Sequence, residues 1–175
     1  PDIAASIQKK MTERAIAAQD VEGIGIGVPG PVDGDFTVHK CVNLGWGVLN
    51  LKKAMNDLLP EIPNVAAGND ANVATLGELW KGGGKGRRSA VMVTLGTGVG
   101  GGVVVDGRIV AGCNGGAGEL GHITVEPAET VPCACGKYGC LEQYASATGI
   151  VRLAKRMLAE SGKPSALRAR ETFTS

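Results

Sequence analysis

The sequence predicts an α/β fold, and three observations carry that expectation. Amphipathic helical segments alternate with short apolar runs in the first half, a run of β-branched residues with a two-residue hairpin turn follows, and a stretch rich in glycine and cysteine then interrupts the pattern. The chain has 175 residues, enough for one domain or two small ones. Its 43% hydrophobic and 20% charged residues are those of a globular protein. The departures are 28 glycines and only 3% aromatics, and so much glycine implies many tight turns and close backbone approaches.

Ile3, Ile7 and Met11 recur every four residues and predict a first helix. The apolar run Gly23 to Val28 then reads as a buried strand, ended by Pro29-Gly30-Pro31. Residues from Val32 to Val48 are turn-rich, with a hairpin expected around Asp33-Gly34. Asn50 is the expected N-cap of a helix carrying Leu51, Met55 and Leu58, stopped at Pro60. Val65 to Ala67 reads as a second buried strand. Asp70 is the expected cap of a helix with Val73, Leu76 and Trp80 on one face, running out at Gly82-Gly83-Gly84. From Ala90 the pattern becomes a β-meander: Ala90 to Leu95, a glycine cluster, Val103 to Val105, the turn Asp106-Gly107, and Arg108 to Val110. Little regular structure is expected from Gly112 to Cys140. A last helix is expected from near Thr148, presenting Ile150, Ala154 and Met157 and closing at Gly162 and Pro164, with a polar tail beyond Ser165.

A formal charge of +1 with scattered basic residues argues against a nucleic-acid footprint or a polybasic membrane patch, and Lys85 to Arg88 reads as a solvated loop. No run approaches the length of a membrane span, and Pro1-Asp2-Ile3 lacks the features of a signal peptide, so a cytoplasmic location is expected. Three clustered cysteines out of five suit a reducing compartment with a metal better than a secreted disulfide framework. Cys41 and Cys113 are left over and are expected to be small buried hydrophobes.

The metal expectation rests on Cys133, Cys135 and Cys140 with His122 just upstream. Three thiolates and an imidazole close a tetrahedral zinc sphere, and two cysteines one residue apart with a third five further on crowd too many thiols for ordinary packing or a simple disulfide pair. A full sphere leaves no position for activated water, so such a zinc is structural. Glu119 and Glu142 bracket the ligands. Alone, each reads as a solvated carboxylate; on a metal-stiffened loop they can hydrogen-bond a polyhydroxylated ligand.

Gly96-Thr97-Gly98-Val99-Gly100-Gly101 contains the glycine spacing of a dinucleotide fingerprint, but a strand and a hairpin follow it where that motif needs a helix. Two readings remain: a plain glycine hairpin, or a turn offering backbone N–H groups, with the Thr97 hydroxyl, to phosphate oxygens. Asp70 also has two readings, a helix cap or a carboxylate at the carboxyl end of a strand that takes a proton from an attacking hydroxyl.

Together, Gly25 to Asp33, Asn69 to Asn72, Leu95 to Gly101, Gly118 to His122 and Cys133 to Glu142 resemble the ROK family of sugar kinases and related repressors, nearest its bacterial glucokinase branch. The resemblance implies an actin-like, ribonuclease-H-like fold of two α/β domains, with sugar and ATP meeting between them. Residues 1–70 would be the back half of the small domain and 71–175 the front half of the large one, including a zinc loop over 112–141. Asp70 would be the general base. Gly30, Asn69, Glu119, His122 and Glu142 would line the sugar site. Gly96, Thr97, Gly98, Gly100 and Gly101 would contact ATP phosphates, and magnesium would accompany the ATP. The implied reaction is phosphorylation of glucose at its 6-hydroxyl in a homodimer or homotetramer. The alternatives are a kinase for another hexose, such as fructose or N-acetylmannosamine, or a sugar-responsive repressor. The family's first phosphate hairpin and its C-terminal part have no counterpart in these residues, so an internal fragment is expected, whose turnover would depend on the missing parts.

Overall fold

The computed structural model describes residues 1–39, 41 and 44–170. Helix α1 (Asp2–Glu13) buries Ala4 and lays Ile7 on the core. Strand β1 (Ile24–Val28) pairs in parallel with β4 (Val65–Asn69), from Ile24 opposite Val65 to Val28 opposite Asn69. Parallel strands need a crossover, and helix α2 (Leu51–Leu58) lies within it, capped by Asn50, whose side chain accepts from the Lys53 N–H as expected. Between them, β2 (Thr37–Val38) and β3 (Leu49–Asn50) pair antiparallel. The turn before β2 forms where expected. Asp33 organises it, its Oδ1 accepting the Asp35 and Thr37 N–H groups while its Oδ2 lies 2.8 Å from His39 Nε2.

These elements close over two apolar clusters, Val28, Val32, Val38, Cys41 and Leu51 in one and Ala4, Met55, Leu59 and Val65 in the other, with Ile26 packed against both. Cys41 is thus buried as expected. Cys113 is not; the loop that follows the last short strand carries it over the surface.

Helix α3 (Asp70–Lys81) departs from expectation twice. Its cap is Asn69, whose side chain accepts the Ala71 and Asn72 N–H groups at 3.0 and 3.2 Å, and Asp70 is the first helical residue. The Val73, Leu76 and Trp80 face is exposed, Trp80 by 72%, while Asn72 and Thr75 are buried. The cause is the neighbouring strand. A Cβ on Gly102 would collide with Thr75 Oγ1, so only a helix face of small residues fits against that glycine strand.

Strands β5 (Ala90–Leu95), β6 (Val99–Val105) and β7 (Arg108–Ile109) form the expected antiparallel meander in the order β5-β6-β7. Asp106 and Gly107 both have positive φ, 50° and 78°, as the favoured two-residue turn demands. Apart from a single 3-10 turn (Leu120–His122) and isolated bridges, the stretch to Cys140 is irregular. A short helix α4 (Glu142–Ala145), unforeseen from the sequence, precedes α5 (Ala147–Glu160), which Ser146 caps. Ile150 and Met157 of α5 are exposed, because the helix approaches α4 through Gly149, where a Cβ would lie 2.6 Å from the Gln143 carbonyl oxygen. The last five residues of the polar tail lie outside the described residues. Among those described, no helix is long and apolar enough to cross a membrane.

Candidate functional site

Strands β1 and β4 end side by side, and the segments that follow them, Pro29-Gly30 and the start of α3, line a cavity of about 700 Å³. This is the carboxyl end of a parallel pair, the edge where open α/β sheets bind ligands. Asn69 sits at the junction, its amide reaching the Gly30 carbonyl at 3.5 Å while its oxygen caps α3. That division of labour matters for Asp70. Its Oδ1 accepts only the adjacent Ala71 N–H, at 2.9 Å, and its Oδ2 has no hydrogen-bond partner among the described residues. Asp70 is exposed in the cavity and is not the helix cap.

The opposite wall is the turn between β5 and β6. Gly96 donates to the Gly98 carbonyl at 3.0 Å, and Val99 donates to Glu142 Oε2 at 2.9 Å. A Cβ on Gly98 would collide with that same carboxylate oxygen, so a side chain there would have to displace the Glu142 carboxylate from the Val99 N–H. Gly96, Gly98, Gly100 and Gly101 all line the cavity. Thr97 does not. It is the exposed apex of the turn, and the bond recorded for it is through its carbonyl, which accepts from Thr148 Oγ1 at 2.8 Å.

Glu119, His122 and Glu142 complete the lining. The 3-10 turn carrying His122 can lie this close to β6 because Gly121 has no Cβ to strike the Val99 carbonyl. Of the expected site residues, therefore, Gly30, Asn69, Asp70, Glu119, His122, Glu142 and the four glycines meet in one cavity, and Thr97 stands apart. Thr94 and Ala74, also in the lining, were not foreseen; both look like ordinary strand and helix residues in sequence.

Beside the cavity, one ligand atom each from His122, Cys133, Cys135 and Cys140 lies within 4.8 Å of the others. Cys133 Sγ is 3.7 Å from His122 Nδ1, and Cys135 Sγ is 3.6 Å from Cys140 Sγ. Those separations lie close to the edges, roughly 3.5 to 3.8 Å, of a tetrahedron built on zinc bonds of about 2.3 Å to sulfur and 2.0 Å to nitrogen. Burial and the neighbouring Cys135 and Cys133 sulfurs push the Cys140 thiol up to about 12, whereas, against desolvation, the Lys137 N–H and the neighbouring thiols hold Cys135 below its ordinary value, so a cation here would act chiefly to ionise Cys140. The donor set and its spacing fit a structural zinc. With Nδ1 on the cysteine side, His122 retains its other ring nitrogen for the cavity it lines.

A second clasp on the same loop had no sequence signal, since Glu129 reads as one more loop carboxylate. Its side chain is only 3% exposed. Oε2 accepts the Tyr144 hydroxyl at 2.6 Å and pairs with Arg152 and Arg156, while Oε1 accepts the Thr130 and Val131 N–H groups. The Tyr144 hydroxyl, the Val131 N–H and Arg152 hold its carboxyl down at about 2 against the desolvation that opposes them. Arg152 also donates to the Gln143 carbonyl, and Gln143 donates to the Val131 carbonyl, so the clasp grips the residue next to Glu142.

A parallel-strand end, an unencumbered carboxylate, a glycine turn and a cysteine-braced polar wall define an α/β protein with a cleft suited to a polyhydroxylated ligand and an anion. The chain belongs to the ROK family, whose model matches residues 2–175. It is 46% identical over 160 residues to a glucokinase of Halalkalibacterium halodurans, covering 91% of this chain and 48% of the relative. A ROK family glucokinase from Streptomyces griseus, solved with glucose and AMPPNP, superimposes with a TM-score of 0.68 at 37% identity, over 91% of this chain and 50% of that one. A ROK family transcriptional regulator, a homolog of the E. coli MLC protein, matches with a TM-score of 0.81 at 30% identity, over 99% of this chain and 43% of that one. The fold is thus the actin-like α/β fold of this family, and the chain spans about half the length of these relatives.

Proposed function

We propose that this chain forms the sugar and phosphate cleft of an ATP-dependent hexose kinase whose substrate is glucose. The observation that carries the reading is Asp70: Asn69 caps the helix, which leaves the Asp70 carboxylate exposed in the cavity that the glycine turn also lines. As general base, Asp70 accepts the proton of the sugar 6-hydroxyl while that oxygen bonds to the γ-phosphorus of ATP, and the bond to the departing ADP breaks. Asn69, Glu119, His122 and Glu142 hold the remaining hydroxyls with Gly30 beside them, and the Gly96 to Gly101 segment faces the phosphates. Magnesium, brought with ATP, neutralises charge on the transferring group. Zinc on His122, Cys133, Cys135 and Cys140 supplies no chemistry; it fixes the loop that carries the sugar-reading side chains. In this reading residues 1–70 belong to the smaller lobe and 71–175 to the larger one.

The resemblance to the regulator supports a second reading, a sugar-responsive repressor built on the same cleft. One experiment separates them. In the protein carrying this sequence, glucose with ATP should yield glucose 6-phosphate, and Asp70→Asn should lower turnover at least about 10²-fold while retaining sugar binding. Retention of more than about a tenth of the turnover would reduce Asp70 to a helix residue. Sugar binding without any turnover in the unaltered protein would favour the repressor. A higher kcat/KM on fructose or N-acetylmannosamine than on glucose would change the substrate and keep the kinase.

A further inference from the structure

We infer that Ala147 and Thr148, at the start of α5, are positioning residues that aim two backbone N–H groups of the glycine turn at the phosphoryl donor; the inference rests on the kinase reading above. The Ala147 N–H donates to the Gly96 carbonyl at 2.9 Å, and Thr148 Oγ1 donates to the Thr97 carbonyl at 2.8 Å. Two successive carbonyls of the turn are therefore drawn to the same helix end. In a planar trans peptide the N–H points opposite to the carbonyl of the same unit. With the Gly96 and Thr97 carbonyls fixed on α5, the N–H groups of Thr97 and Gly98 must project to the other side. Neither donates to any group among the described residues, whereas the N–H groups flanking them are used, Gly96 on the Gly98 carbonyl and Val99 on Glu142. Gly96 and Gly98, the neighbours of Thr97 on either side, line the cavity; Thr97 at the apex, Ala147 and Thr148 do not, so the Thr97 N–H would reach the donor only at the rim. Two adjacent unspent donors on the far side of a pinned turn suit an anionic oxygen.

The sequence permits a clean test at both positions. Ala147 is the first residue of α5, a position where proline is tolerated because its N–H is outside the helix ladder, and Ser146 before it has the extended backbone (φ −75°, ψ 162°) that proline requires. Ala147→Pro thus deletes one pin while keeping the helix start. Thr148→Val deletes the other, and Thr148→Ser restores it. Binding of AMPPNP and of glucose would be measured by calorimetry in the protein carrying this sequence, with melting temperature as a control. Expected is a loss of nucleotide affinity of roughly tenfold for each pin removed, the scale of one hydrogen bond, with glucose affinity unchanged and Thr148→Ser close to the parent. Unchanged AMPPNP affinity in folded Thr148→Val and Ala147→Pro proteins would overturn the positioning role. An unaltered protein that binds glucose but not AMPPNP would overturn the kinase reading itself, and the inference with it.

Discussion

The segment up to Val65 and the segment from Val99 onward are held together by different physics. The first closes over apolar residues, with Val28, Val38, Leu59 and Ile62 at 1% exposure or less. In the second, Ile150, Met157 and the alternating Val91, Val93 and Leu95 of the adjoining strand β5 are exposed. Its buried groups are largely polar or sulfur-bearing: Glu129, Gln143, Ser146, Cys133 and Cys140. One region is stabilised by removing hydrocarbon from water, the other by matching charges, hydrogen bonds and metal donors. The first should be indifferent to chelators and should respond to acid only through the turn that the Asp33 carboxylate organises, and the second should respond to both.

The largest effect that would separate the two regions is removal of the zinc proposed for His122, Cys133, Cys135 and Cys140. Cys135→Ser, or a strong chelator, should release one zinc per chain and with it sugar affinity, because structural zinc binding is worth on the order of 10 kcal/mol of folding energy. Hydrogen exchange should then rise across residues 118–145 and stay low in β1 and β4. Metal analysis finding no zinc in the untreated protein would remove the basis of the contrast.

Next in size is the apolar side. Leu59→Ala, at a fully buried position, should cost about 2–5 kcal/mol in denaturant unfolding without altering zinc content. A loss of zinc alongside it would mean that the two regions unfold as one.

Acid should reverse the pattern. Glu129 is depressed from an ordinary carboxylate value of 4.5 to about 2 in the folded chain, so its stabilisation is complete above about 4.5 and is lost as pH falls from there toward 2. Glu129→Gln should lower the melting temperature at pH 7 by at least about 5 °C and flatten its fall between pH 4.5 and 2. An unchanged acid profile would show that the clasp is not what holds the loop.

The smallest effect lies at the junction between the regions. Asn69→Ala should cost about 1 kcal/mol, since it removes the cap of α3, and Asp70→Ala should cost less. Equal losses would return the capping role to Asp70 and weaken the case for its catalytic one.

Local chemistry made much of this legible in the sequence. Cys133, Cys135, Cys140 and His122 are close in the chain and had little choice but to meet; Asp106-Gly107 is a turn wherever it stands; Asn50 capped its helix as its side chain dictates. What needed the tertiary structure was the choice among residues equally able to do a job. Asn69 and Asp70 are both good caps, and only the placement of α3 against the end of β4 gave the cap to one and left the other to the cavity. The apolar periodicity of Val73, Leu76 and Trp80 was real, yet the glycines of β6 demanded a face of small residues, a demand made by a neighbour absent from the local pattern. Glu129 carried no sign of its role, because a buried carboxylate is defined by the arginines that reach it, and Arg152 and Arg156 come from a helix more than twenty residues away. The sequence by itself determined which groups could hold a metal, cap a helix or turn the chain, since those are short-range properties of side chains and backbone. Which of them were buried, spent or left free for a ligand was decided by packing between distant segments.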